Sequence, residues 1–237
     1  MEKDEKAVEQ APEGQRRERM SPMRRVIAKR MTQSWQTAPM VHFDRSVEVA
    51  AISKLKDALS DGGTKISYTD ILVKLAAQAL LEYPYVNSRV DGDEIIFHDY
   101  VNVGVAVALE DGLVVPVIKN AHLKGIKEIS EELKTLAVKA RERRISMDEV
   151  SGGTFTITNL GMFGIESFSP IINQPESAIL GVNAIVKTPV ESDGVIVMRP
   201  KITLSLGADH RVVDGAVAAA FLQRLCSLIE DPGIEPL

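Results

Sequence analysis

Gly207-Ala208-Asp209-His210-Arg211-Val212-Val213-Asp214-Gly215 is the stretch on which the reading of this chain turns. The run before it, Ile202-Thr203-Leu204-Ser205-Leu206, alternates apolar and polar residues as a half-buried strand does. The run after it is rich in alanine and leucine at helical spacing. The stretch therefore sits where a strand turns into a helix, a junction at which folds display side chains. Histidine is the side chain whose unperturbed pKa, about 6.5, suits it to act as a base near neutral pH. On these residues alone His210 has two readings, a general base or a structural histidine with its hydrogen bonds satisfied.

Working outward, the helix over 216–231 turns Val217, Ala220, Phe221, Leu225 and Leu228 inward. The single cysteine, Cys226, lies beside Leu222, Leu225 and Ile229, so it reads as a small buried hydrophobe rather than a nucleophile. Upstream, residues 177–186 form a buried strand, and Ser192-Asp193-Gly194 makes the hairpin that leads back to His210. The second informative stretch is Gly152-Gly153-Thr154-Phe155-Thr156-Ile157-Thr158-Asn159-Leu160-Gly161-Met162-Phe163-Gly164. Its first part alternates as a strand with three threonines on one side, and its glycines permit close backbone approach. Thr158, at the strand end before a glycine-rich loop, either reflects β-propensity or offers a hydroxyl to a ligand.

A helix is expected to open at Ser21, an N-cap with Pro22 behind it, and to run to about residue 35 with Val26, Ile27, Met31 and Trp35 as its apolar stripe. Residues 41–49 alternate as a strand whose inner face is interrupted by Arg45, a residue that suggests a buried acid nearby. A short helix follows, then a longer one capped by Thr69, then a hairpin at Asp91-Gly92-Asp93. The near-continuous apolar strands over 101–109 and 113–118 are expected at the sheet centre, because such strands are covered on both faces. An amphipathic helix over 126–140 and a capping box at Ser146–Glu149 complete the pattern. Strands and helices mix without steady βαβ alternation, which predicts an α/β layered domain with a mixed sheet.

The chain has 237 residues, 45% hydrophobic and 26% charged, enough for a real core. Its net charge of -5 argues against nucleic acid as the main partner. Residues 1–20 mix charges with Pro12 and Gly14 and read as a linker. One cysteine leaves no internal disulfide, no apolar run reaches a membrane-spanning length, and the N-terminus lacks a signal-peptide core. Those features predict a cytoplasmic protein with no membrane partner. The four histidines, His42, His98, His122 and His210, lack ligand spacing, so no metal is expected. Phosphate-loop, dinucleotide-binding and nucleophile-elbow motifs are missing from the sequence.

The stretch from His210 to Ala216, together with residues 155–161, Pro170-Ile171-Ile172-Asn173, Ala178-Ile179-Leu180-Gly181-Val182 and the entry Arg25-Val26-Ile27-Ala28-Lys29-Arg30-Met31, resembles the catalytic domain of dihydrolipoamide acyltransferases. These are the core components of 2-oxo acid dehydrogenase complexes. The resemblance covers about residues 21–237 and implies the chloramphenicol acetyltransferase-like fold. It implies a trimer whose active sites lie between subunits, a larger hollow core, and partnership with a 2-oxo acid decarboxylase and a dihydrolipoamide dehydrogenase. The reaction implied is acyl transfer between a dihydrolipoyl thiol and coenzyme A. The lipoyl group belongs to a separate domain that this chain does not include, so residues 1–20 read as a linker remnant.

By the same resemblance His210 is the base and Thr158, where many relatives carry serine, is the oxyanion donor. Asp214 either orients His210 or pairs with an arginine to fix the loop, with Arg45 and Arg30 as candidate partners. Asp111 and Ser169 are the expected coenzyme A contacts, although a plain turn aspartate is an equal reading of Asp111. Ile234 and Leu237 are the only apolar anchors near the C-terminus. Two other functions fit the sequence less well. An inactive assembly scaffold has no use for both His210 and Thr158, and a free-standing acyltransferase acting on a small acceptor has no use for the tail and basic helix.

Overall fold

A computed structural model of the chain describes residues 14–60, 63–109 and 111–234. The first thirteen residues of the expected linker lie outside the described residues; 14–20 are exposed and form neither helix nor strand. Helix α1 (Pro22–Thr37) opens as expected, with the Ser21 hydroxyl accepting from the Arg24 amide at 3.1 Å. Strand β1 (Met40–Glu48) leads to α2 (Ala50–Ser60) and α3 (Tyr68–Glu82). Ser67, not Thr69, caps α3: its hydroxyl takes the Asp70 amide while Asp70 takes the Ser67 amide, a reciprocal capping box. Thr69 lies within the first helical turn and accepts a hydrogen bond from Asn159 instead.

The short strands β2 (Ser88–Asp91) and β3 (Glu94–Phe97) form a separate hairpin. Strand β4 (Val103–Val105) runs on into β5 (Val107–Leu109), which pairs with β6 (Gly112–Val114) as a ribbon of its own, and β7 (Val117–Ile118) follows. After α4 (Ile126–Arg141) come β8 (Phe155–Asn159), β9 (Ala178–Ser192), β10 (Val195–Asp209) and α5 (Gly215–Glu230). The main sheet has the order β1-β10-β9-β8-β4-β7. It is mixed: β8 runs parallel to both β4 and β9, and the remaining pairs are antiparallel.

The apolar run over 101–118 was expected at the centre, and the sheet corrects this. Its β4–β7 pair lies at one edge, while β9 and β8 hold the middle. The run is buried for another reason. Helices α3 and α4 and the short turn at Ala121–Leu123 cover that edge, so Val101, Val103 and Ile118 are fully buried away from the centre.

Registers sort the side chains of the sheet into two faces. On one, Phe155, Ile157, Leu180, Val182, Leu204 and Leu206 pack with α3 and α5 into the core. On the other stand Thr156, Thr158, Gly181, Asn183, Ser205 and His42, a polar face partly covered by the chain between β8 and β9. Arg45 meets no acid; it is exposed beside Cys226 and forms no ion pair among the described residues. Cys226 is buried as expected. Ile234 packs back onto its own core, and Leu237 lies outside the described residues. Among the described residues no helix is long and apolar enough to cross a membrane.

Candidate active site

His210 follows directly on the last residue of β10. Its amide donates to the Pro39 carbonyl at 3.0 Å, which ties the turn to the start of β1, and its imidazole is exposed. The residue before it explains why the turn holds its shape. Asp209 is fully buried, and its carboxylate takes Arg211 through both Nε and Nη2, with contacts from 2.6 to 3.1 Å, together with the Arg211 amide. A bidentate pair of this kind fixes orientation as well as charge, and it holds the Arg211 guanidinium above its ordinary pKa.

Asp214 behaves differently. Its side chain is 82% exposed and its nearest oxygen lies 3.9 Å from His210 Nδ1, beyond hydrogen-bond reach. It occupies the N-cap of α5 without a side-chain capping bond. Neither arginine suggested for it is a partner: Arg30 binds the Gln174 carbonyl and Asn173 Oδ1, and Arg45 lies beside Cys226. The buried acid of this turn is thus Asp209, which motif reading passed over although it adjoins the histidine.

Thr158 stands near the end of β8, opposite Gly181 of β9, and Gly181 stands opposite Ser205 of β10. A Cβ at position 181 would fall 2.8 Å from the ring of Phe168, so only glycine leaves room for that ring against the strand that neighbours Thr158. The loop carrying Phe168 and the exposed Ser169 is pinned on both sides. His42 Nε2 donates to the Pro170 carbonyl at 3.0 Å, Ser167 donates to Asp44, and Ser34 of α1 donates to the Ile172 carbonyl at 2.7 Å. Ser169 is exposed on this pinned loop, between Phe168 and the buried Pro170.

Asp111 is elsewhere, at the tip of the β5–β6 ribbon. Its carboxylate meets Arg143 at 3.2 Å and its carbonyl accepts from Arg24 at 3.0 Å. It borders a cleft of about 400 Å³ lined also by Ala108, Leu109, Arg141 and Arg143. Thr158 and His210 do not meet within one chain either. Thr158 is level with Ser205, five residues before His210. Strand geometry puts their backbones roughly 15–20 Å apart.

Sequence reasoning missed one further group, Glu176. Its side chain is fully buried between β8 and the loop, where burial pushes its carboxyl up to about 8. Nothing in the local sequence distinguishes it from an exposed loop glutamate.

Over residues 12–234 the chain matches the family described as 2-oxoacid dehydrogenases acyltransferase (catalytic domain). It is 42% identical over 235 residues to the dihydrolipoyllysine-residue acetyltransferase component of the pyruvate dehydrogenase complex of Bacillus subtilis, covering 95% of this chain and 53% of that protein. It is 39% identical over 221 residues to the dihydrolipoyllysine-residue succinyltransferase component of the 2-oxoglutarate dehydrogenase complex of Bartonella vinsonii, covering 91% and 54%. The chain thus spans about half the length of these curated relatives.

Among solved structures, a probable dihydrolipoamide acetyltransferase from Listeria monocytogenes superposes with a TM-score of 0.87 at 39% identity, over 92% of this chain and 95% of that one. The cubic core of a pyruvate dehydrogenase multienzyme complex does so with a TM-score of 0.87 at 34% identity, over 95% and 93%. Chloramphenicol acetyltransferase, at 10% identity, TM-score 0.54 and coverage of 85% and 94%, shares the fold alone. With the family match running through both the His210 turn and the Thr158 strand, the chain belongs to the 2-oxoacid dehydrogenase acyltransferases, as their catalytic domain.

Proposed function

We propose that this domain transfers an acyl group between a dihydrolipoyl thiol and coenzyme A, at sites built from two copies of the chain. The observation that carries the reading is the pairing of a family match with a separation: His210 and Thr158 both lie within the matched span, yet one chain holds them far apart. A second copy that brings its His210 to this chain's Thr158 completes the site. The exposed apolar side chains Val26, Trp35, Val195, Ile196 and Met198 support self-association, because apolar surface of that extent on a single chain marks contact with a partner.

Each group then has a definite task. A thiol with a pKa near 8.5 is only a few per cent ionised at neutral pH, so the His210 imidazole takes its proton as the sulfur attacks the acyl carbonyl. The carbonyl oxygen becomes an oxyanion, to which the Thr158 hydroxyl donates a hydrogen bond. Collapse breaks the bond to the other sulfur, and the imidazolium returns the proton to that leaving thiolate. Ser169, exposed on the loop after β8, serves as a coenzyme A contact. Asp111 serves the same substrate by setting Arg143 in a cleft whose two arginines suit a phosphorylated molecule. The wider reading places assembled trimers at the core of a 2-oxo acid dehydrogenase complex, working with its decarboxylase and dihydrolipoamide dehydrogenase in the cytoplasm.

The test is thioester formation from a panel of acyl-coenzyme A donors and free dihydrolipoamide, run beside His210→Ala. Transfer that needs the histidine, with the donors ranked by rate, is the expected result. An assembled oligomer that transfers nothing from any donor would support a scaffold instead.

A further inference from the structure

We propose that Glu176 is a positioning residue for the transfer reaction, its carboxyl tying the strand that carries Thr158 to the segment against which His210 is set. The inference rests on the acyltransferase reading above and adds to it a residue that touches neither substrate nor reacting atoms.

The tie is visible in the contacts. On one side, the Glu176 carboxyl lies beside the Thr156 hydroxyl, and Thr156 stands two residues before Thr158 on the same face of β8. Asn173 Nδ2 braces the pair, reaching Thr156 Oγ1 at 3.3 Å and Glu176 Oε1 at 3.1 Å. On the other side, Glu176 is followed by Ser177, whose carbonyl accepts the amide of Asp209 at 2.9 Å, one residue before His210. Backbone bridging of Glu176 to Arg89 fixes the same segment from a third direction. Two glycines make room for the arrangement. A Cβ at Gly153 would fall 2.8 Å from Glu176 Oε1, and one at Gly104 would fall 3.1 Å from Thr156 Oγ1.

The carboxyl is built to work uncharged. It is fully buried, and Oε2 has no hydrogen-bond partner. The charged groups around it do not compensate an anion by contact. Arg30 of α1 spends its guanidinium on the Gln174 carbonyl and Asn173 Oδ1, and Arg89 of β2 pairs with Asp91 at 3.2 Å. Strand β8 offers only the hydroxyl of Thr156, and Thr154 just ahead of it is taken by the Asn102 backbone. Ionisation therefore places a bare charge in the tie, and the segment relaxes away from β8. In the assembly proposed above, each Glu176 governs Thr158 in one site and His210 in the next, so the loss is felt at every site.

The sign of the pH effect follows from linkage. The folded chain keeps the proton on Glu176 up to about 8, whereas an unfolded glutamate releases it near 4.5. Between those values the folded state alone holds the proton, so stability falls as pH rises from about 4.5 to about 8 and is level beyond. Glu176→Gln keeps the shape and hydrogen-bonding capacity without the titration.

The experiment compares the assembled wild-type protein with Glu176→Gln and Glu176→Ala, reading the melting temperature and the kcat and KM of acyl transfer between about pH 5.5 and pH 9. Glu176→Gln is expected to keep wild-type kcat within about twofold at neutral pH, and to lose at least about fivefold less of it than wild type by pH 9, with KM unchanged. Its melting temperature should gain roughly 5 °C or more on wild type between pH 5.5 and 8.5. Glu176→Ala should lose kcat at every pH; if it fails to assemble, the glutamine variant decides. Parallel pH profiles for wild type and Glu176→Gln, in melting or in kcat, would overturn the inference while leaving the reaction intact. A wild-type protein that transfers nothing would instead overturn the acyltransferase reading, and the melting comparison would still report on the carboxyl.

Discussion

Thr158 and His210 of one chain are separated by two strands and five residues of register: Thr158 lies opposite Gly181, Gly181 opposite Ser205, and His210 comes only after β10 has ended at Asp209. No rotamer of either side chain bridges that interval. The relationship turns the intersubunit site into something testable by mixing chains.

Single variants His210→Ala and Thr158→Ala, each strongly impaired alone, should complement one another when co-expressed. If each site draws its histidine from one chain and its threonine from another, random mixing restores about a quarter of the sites. The check is kcat per site in the mixed oligomer. A mixture no more active than its parents would place both groups in one chain.

Thr158→Ala should lower kcat about 10²–10³-fold with little change in KM, the cost of one oxyanion donor in a water-excluded site. Thr158→Ser keeps the hydroxyl and should recover most of the rate. Steady-state kinetics on the two variants separates loss of the hydroxyl from loss of the β-branched side chain.

Asp214→Asn should cost less than about tenfold in kcat. The carboxylate is mostly exposed and 3.9 Å from the imidazole, a distance at which a screened pair contributes little. A loss as large as that of His210→Ala would show that assembly draws Asp214 into contact with the histidine.

Arg211→Ala should act through the fold. It leaves the buried Asp209 carboxylate without its bidentate partner, at a cost of about 3 kcal/mol, the low end for a broken buried pair because Arg211 is partly exposed. Thermal melting should fall by roughly 10 °C in a domain of this size. A variant that melts like wild type would mean that Asp209 finds another partner.

Cys226 should resist alkylation in the native protein at about pH 8 and react promptly once unfolded. Burial pushes its thiol up to about 11, and only the thiolate is reactive. Mass spectrometry after timed labelling gives the ratio directly.

Much of this was legible in the residues themselves. The helix opening at Ser21-Pro22, the Asp193-Gly194 turn with both residues at positive φ, and the capping box at Ser146–Glu149 follow from local chemistry and appear where expected. The candidate base and hydroxyl were legible too, because a strand end before a turn or glycine loop is a local pattern. Where the reading failed, the deciding contact was distant in sequence. An apolar run says that a strand is buried, but the run over 101–118 is buried by helices at a sheet edge, and periodicity carries no information on which strand pairs with which. Thr69 lost the cap to Ser67 because two hydroxyl residues two positions apart compete and only the backbone trajectory chooses.

The sequence by itself determined most of the elements, the α/β class and the candidacy of His210 and Thr158, since propensity, capping and turn formation act over a few residues. The tertiary structure decided which acid beside His210 is buried, that the Glu176 carboxyl sits in the interior, and that Thr158 and His210 of one chain stay apart. Those three depend on burial and register, and each is settled by residues far along the chain: β1 and Ser177 for Asp209, Thr156 and Gly153 for Glu176, and the paired strands β8, β9 and β10 for Thr158 and His210.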